Sequence, residues 1–194
     1  MEKEAIKFGV DTIFHMIRHF EKINSKDLSN MLNAGYTQVQ IDNELKIVGS
    51  KFHASFATTI TDIIQKVHTD VYVKTLSSNG NYQLYFPSTA QDIAYIIGTL
   101  AVVPLDYLTE AQKQNMYLRE NRGYPLKHVD VANLPTSSEW TMILKPKAND
   151  SFYFLTAFPG KPALPIPHHD MSLTEKNACI NFWNEHVFLV NKED

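Results

Sequence analysis

The chain has 194 residues, 44% of them hydrophobic and 20% charged, with a formal net charge of -3. That length buries a sizeable core, and that balance excludes a disordered chain, a fibrous repeat and broad electrostatic coating of nucleic acid, although a local basic cleft can sit within an acidic total. The single cysteine, Cys179, can form no internal disulfide and reads as a small buried residue on an apolar helix.

The N-terminal MEKEAIKFGVDTIF carries acidic residues and lacks the long apolar core of a secretory signal. No apolar run approaches the roughly 18 residues of a membrane span. The longest, around Ile93 to Leu105, is interrupted by Gly98 and Pro104. The expectation is a soluble protein working in the cytoplasm, its own or that of a cell into which it is delivered.

From Lys3 to Ile23, Ile6, Val10, Ile13, Phe14, Ile17 and Phe20 recur at helical spacing and predict one helix with a buried stripe. Asn24 and Ser25 are candidate caps for a short helix from Lys26 to Asn33, closed by Gly35. Thr37 with Gln40 makes a capping box for a helix through about Val48. Phe52, Phe56, Ile60, Ile63 and Val67 then predict a longer helix from Lys51 to about His68.

Strand signals begin at Asp70, which divides a helical region, residues 1–70, from an α+β region, residues 71–194, both within one compact unit. Val71 to Leu76 and Tyr82 to Phe86 flank Asn79-Gly80, a strong hairpin signal. A short helix carries Ile93, Ile96 and Ile97, and a buried strand runs from Thr99 to Val103. Thr109 with Gln112 starts a helix ending at Gly123, on which Asn115, Arg119 and Arg122 share one face.

Tyr124 to Val131 alternates as a strand, with Leu126, His128 and Asp130 on one side. Trp140 to Lys145 and Phe152 to Phe158 alternate as two further strands around the turn residues Lys147-Ala148-Asn149-Asp150, and this hairpin is expected at the middle of the sheet. In the second strand Phe152, Phe154, Thr156 and Phe158 are expected on one face. Pro159, Pro162, Pro165 and Pro167 make an extended rim, and Ser172 with Glu175 boxes the start of a last helix. His186 to Val190 either finishes that helix or forms a final strand. The whole reads as α+β, a helical N-terminal region packed with a mainly antiparallel sheet and accessory helices.

No P-loop, dinucleotide fingerprint, nucleophile elbow or paired C-x-x-C occurs. His15 and His19 have the spacing of a zinc pair, but HMIRH lacks the glutamate that a zincin uses as base. Adjacent residues in an extended chain point apart, so His168-His169-Asp170 supplies one ligand more readily than two. No metal and no cofactor is expected. The helical pair around Ala34-Gly35-Tyr36 fits a helix-turn-helix, but Asp42 and Glu44 would repel phosphate.

A more coherent set is Arg119, Arg122, Lys127, His128 and Thr156. Metal-free phosphodiester cleavage needs a group to take the 2'-hydroxyl proton, cations for the charged phosphorane and donors that orient the phosphate. His128 suits proton transfer, Arg122, Lys127 and Arg119 the electrostatic work, and Thr156 the phosphate donor. A hydroxyl on an otherwise aromatic face needs a partner.

Over roughly Tyr82 to Gly160 the succession of a helix, a His-bearing strand, the Trp140-to-Lys145 strand and the L-T-A-F-P-G ending at Leu155 to Gly160 resembles the barnase/EndoU/colicin/RelE-like nucleases. That resemblance implies helices before a small antiparallel meander and metal-independent RNA cleavage of a toxin or phage type. By position on the meander it implies roles for His128, Arg122 and Thr156, with RNA, tRNA included, as substrate and a protein inhibitor as partner. The rival readings are a noncatalytic module whose aromatic hairpin and proline rim bind a protein or peptide, and DNA binding by the helix-turn-helix.

Overall fold

A computed structural model describes residues 5–47, 49–67, 72–77, 80–87, 96–121 and 123–191. In chain order its elements are β1 (Ile6–Lys7), α1 (Val10–Met16) with a following 3-10 turn (Ile17–His19), α2 (Ser25–Asn33), α3 (Gln38–Leu45), α4 (Ile60–Gln65), β2 (Val73–Leu76), β3 (Tyr82–Phe86) and β4 (Gly98–Thr99). There follow β5 (Val102–Pro104), α5 (Glu110–Gln114), β6 (Tyr117–Asn121), β7 (Tyr124–Val131), β8 (Thr136–Ser137), β9 (Trp140–Pro146), β10 (Phe152–Pro159), α6 (Leu173–Glu185) and β11 (His186–Asn191). The fold is α+β. The chain forms two compact units, Met1–Thr99 with Thr136–Pro162 and Leu100–Pro135 with Ala163–Asp194.

The first unit holds a five-stranded sheet in the order β1-β10-β9-β3-β2, with β9 at its centre. β1 runs parallel to β10 and the other pairs are antiparallel. Trp140, Met142 and Leu144 alternate onto one face of β9 and are fully buried. Trp140 lies flat on Phe86, ring centroids 4.0 Å apart, and makes T-shaped contacts with Phe52 and Phe56. Each such side chain contributes about 1.5–3 kcal/mol on burial, so this layer fixes which face of the hairpin points inward. The turn is made by Asn149 and Asp150 at φ 59° and 52°, a region these two residue types tolerate.

The expected alternation along β10 fails at Leu155. Phe154 pairs with Leu144 but Thr156 pairs with Ile143, so a β-bulge inserts one residue between them. Downstream of it the faces exchange: Ala157 joins the buried face with Phe154, and Thr156 and Phe158 turn to the other side.

Three further differences have tertiary causes. The expected helix from Lys3 breaks at Gly9, because Ile6 and Lys7 pair with Phe152 and Tyr153 of β10. The expected helix from Lys51 shrinks to α4. Phe52 instead bridges Phe20 and Gly98 through its backbone, and the helix starts at a capping box of Thr59 with Asp62. The helix expected to end at Gly123 stops at Gln114, and the next residues form β6, which pairs with β7 across a Gly123 turn at φ 79°. Asn115 and Arg119 therefore share no helix face. Arg122, the Asp70 boundary, Asn79 and most of the helix expected before Gly98 lie outside the described residues.

The 3-10 turn after α1 packs with α2 and α3 through Ile17, Met31 and Ile41, and Phe14 of α1 stacks on Tyr36 at 4.2 Å. The capping boxes at Thr37, Thr109 and Ser172 form as their sequences predict, and Asn24 caps α2 through the Asp27 amide.

The second unit is built on a four-stranded sheet in the order β5-β11-β7-β6. β11 runs antiparallel to β5 and parallel to β7, which settles His186 to Val190 as a strand. Val103, Val129, Val131, Val187 and Leu189 make its core with Leu108.

Candidate active site

The second unit gathers a chemically distinctive group on its β6–β7 hairpin. Tyr117 pairs with His128 and Arg119 with Leu126. Opposed residues of an antiparallel pair share a face and alternate residues repeat on it, so Tyr117, Arg119, His128 and Asp130 project from the same side. On the other flank of β7, Phe188 of β11 pairs with His128.

These positions create a row of stacked rings. Trp183 of α6 stacks on Phe188 at 5.0 Å, Phe188 on His128 at 5.3 Å, and His128 on Tyr117 at 5.7 Å. The interplanar angles are 11°, 16° and 23° in the same order, so four rings lie nearly parallel across the sheet. The inner end is anchored by Trp183 Nε1, which donates to the Pro165 carbonyl at 3.1 Å. At the outer end the Tyr117 phenol donates to Asp130 Oδ1 at 2.9 Å.

His128 sits inside this row and is 8% exposed. Its Nδ1 lies 3.0 Å from the Leu126 carbonyl. A carbonyl only accepts, so Nδ1 carries the proton and Nε2 is left with its lone pair. Burial lowers the pKa of the ring, and the Arg119 guanidinium pushes the same way. The Leu126 bond and the Asp130 carboxylate oppose them without reversing the direction. The imidazole is neutral at pH 7 and can take up a proton at Nε2.

Arg119 is exposed on edge strand β6, where its guanidinium is open to a ligand. Lys127 donates from Nζ to the Asn184 carbonyl in the last turn of α6, where a cation complements the helix dipole. Thr156 belongs to the first unit and the other described candidates to the second. Its hydroxyl donates to Met16 Sδ at 3.6 Å, and the Ala157 amide donates to the same sulfur at 3.3 Å. The polar exception on the aromatic strand thus has an internal partner just beyond the bulge.

Five further histidines divide by environment. His19 Nδ1 donates to the Ser50 carbonyl at 3.0 Å, and burial takes its pKa down to about 4. His15, 6.1 Å away between ring centroids, is lowered in the same direction by burial and by Arg18. Arg18 is paired with Glu44, a carboxylate only 8% exposed. His186 donates from Nδ1 to the Phe182 carbonyl and stacks on the Phe182 ring at 3.8 Å. His168 and His169 both lie beside the exposed Asp170 carboxylate, at 3.9 and 3.3 Å. Among the described residues no group of three or more His, Cys, Asp or Glu is arranged to hold a metal ion. Cys179 is buried, and its thiol is pushed up by burial and by Glu175, away from nucleophilic use.

Sequence reading passed over Tyr117, Phe188 and Trp183. A signal for the first was present: Tyr117, Arg119 and Asn121 alternate into Asn121-Arg122-Gly123, which reads as a strand entering a turn as readily as a helix leaving one.

No helix among the described residues is long and apolar enough to cross a membrane. No family model and no curated protein matches the sequence. Among solved structures the chain is similar to a conserved hypothetical protein from Toxoplasma gondii ME49, known from a crystal structure. The two share 10% identity over 69% of this chain and 87% of that one, with a TM-score of 0.46.

Proposed function

We propose that the chain is a metal-independent endoribonuclease whose chemistry is carried by the β6–β7 hairpin, with His128 as the proton-transfer group and Arg119 as the cation for the scissile phosphate. The observation behind the reading is the state of His128: a neutral imidazole, its Nδ1 committed to the Leu126 carbonyl, with a basic Nε2 on the face that also carries Arg119.

In this reading the 2'-oxygen of RNA attacks the adjacent phosphorus while its proton passes to His128 Nε2. The bond from phosphorus to the 5'-oxygen breaks, leaving a 2',3'-cyclic phosphate, and the departing 5'-oxygen takes a proton from the imidazolium or from water. Arg119 offsets the charge that builds on the non-bridging oxygens. Lys127 and Thr156 are occupied by Asn184 and Met16 and act in the scaffold. The toxin or mobile-element setting, with an inhibitor protein as partner, rests on the resemblance to the barnase/EndoU/colicin/RelE-like nucleases.

The competing binding readings have less to work with. Trp140, Met142 and Phe154 of the aromatic hairpin are consumed by their own core. In α3 the side chains of Gln38 and Gln40 are bonded to Asp42 and Thr37.

The test is incubation of the purified protein with total tRNA in EDTA, beside His128→Ala, Arg119→Ala and Thr156→Ala proteins. Cleavage by the wild type, lost in His128→Ala, reduced in Arg119→Ala and retained in Thr156→Ala, is expected. Absence of wild-type cleavage, or cleavage untouched by His128→Ala and Arg119→Ala, removes the assignment.

A further inference from the structure

The row of rings that holds His128 does not end on a closing residue. Its outermost member, Tyr117, stands on β6, the edge strand of the sheet, and is 40% exposed. One face of its ring is covered by His128. Among the described residues no aromatic ring and no cation covers the other. The phenol is held by Asp130, so the ring is fixed in the plane of the stack before any ligand arrives.

A partly exposed ring at the end of a preorganised stack continues favourably with another flat π-system, and every nucleobase presents one. Arg119 lies two residues along β6 on the same side, within the span over which a nucleotide's phosphate follows its base. We infer that Tyr117 is a base-stacking subsite that takes one unpaired base of a single RNA strand, with the neighbouring phosphate on Arg119. This rests on the ribonuclease reading and adds its substrate class: unpaired RNA over duplex. In a duplex both faces of each internal base are already stacked, and presenting one to Tyr117 means first breaking a pair.

The binding step is separable from cleavage by using a strand that cannot react. A short 2'-O-methyl oligoribonucleotide carrying one 2-aminopurine has no 2'-hydroxyl to attack phosphorus, and its fluorescence falls when the base stacks. Wild-type protein is expected to bind it with quenching. Tyr117→Phe, which keeps the ring, should stay within about threefold, and Tyr117→Leu, which keeps apolar bulk without a π-face, should weaken binding by at least about fivefold and abolish the quench. The same probe annealed to its complement should bind more weakly than the single strand. Thermal unfolding of each variant checks that the edge-strand substitution leaves the fold intact.

The inference is overturned if the wild type leaves the probe unbound, if Tyr117→Leu binds and quenches as the wild type does, or if the duplex binds as tightly as the single strand. An aromatic peptide that binds through Tyr117 where the oligonucleotide does not also overturns it, in favour of strand addition at the β6 edge. Probe binding that depends on Tyr117, in a protein that leaves tRNA intact, supports the subsite and removes the nuclease. Cleavage of tRNA that is equal in wild type and Tyr117→Leu keeps the nuclease and removes the subsite.

Discussion

His19 makes the first unit sensitive to acid, and the effect can be worked from its surroundings. The unfolded chain takes up this proton near the ordinary value of 6.5, the folded protein only at about 4. Between those two values the unfolded state binds more protons, so stability falls as pH falls, and below about 4 the loss is complete. A separation of about two and a half pH units at about 1.36 kcal/mol each amounts to roughly 3 kcal/mol. The groups around the ring do little to relieve the new charge: His15, Arg18 and Lys51 are cationic or become so, and Glu44 is already bound to Arg18. The control is His19→Asn, whose amide can still donate to the Ser50 carbonyl but takes up no proton. In a Trp183→Phe background, Trp140 alone reports the first unit, since the chain has two tryptophans. Urea unfolding of both proteins between pH 7.5 and 4 should show the wild type losing about 3 kcal/mol more than His19→Asn. Equal losses in the two proteins would refute the reasoning.

Two further predictions concern packing in the first unit. A Cβ on Gly98 would lie 2.2 Å from the Lys51 carbonyl oxygen and 2.4 Å from Pro159 Cγ. Gly98→Ala should therefore destabilise the unit by about 3 kcal/mol or more in urea unfolding, and a neutral result would mean the Phe52 bridge to Gly98 is not maintained. Met16→Leu keeps the volume but deprives the Thr156 hydroxyl and the Ala157 amide of their acceptor, for an expected loss of about 1–3 kcal/mol. Thr156→Val in that background should recover part of it. An additive double mutant would return the Thr156 hydroxyl to the pool of groups available for other work.

What could be read in advance was what is decided locally. A hydroxyl three residues before Gln or Glu defined the helix starts at Thr37, Thr109 and Ser172 because both partners of the capping box are adjacent in sequence. The central hairpin was legible because its turn residues and inward-facing Trp140, Met142 and Leu144 agree. What was hidden depends on distant partners. Residues 117–121 follow a genuine capping box and look like its continuation, yet pairing with β7 takes them into a strand. Ile6 fits a helical stripe but is claimed by β10. The bulge at Leu155 leaves no mark in a pattern that alternates aromatic residues on both sides of it, so the face of Thr156 was inverted. At the candidate site, His128 and Arg119 were visible as residue types. The ring row that holds His128 was not, because it joins β6, β7, β11 and α6, and no spacing along one strand encodes it.

The most direct test of the central claim is the pH dependence of RNA cleavage in EDTA, with product ends identified. The account predicts 2',3'-cyclic phosphate ends and a rate whose acid limb lies below the ordinary histidine value of 6.5, because burial and Arg119 lower the pKa of His128. Replacing Arg119 by Ala should move that limb toward higher pH while reducing the rate. Cleavage that leaves 3'-hydroxyl ends, or an acid limb unchanged by Arg119→Ala and still present in His128→Ala, would contradict the account.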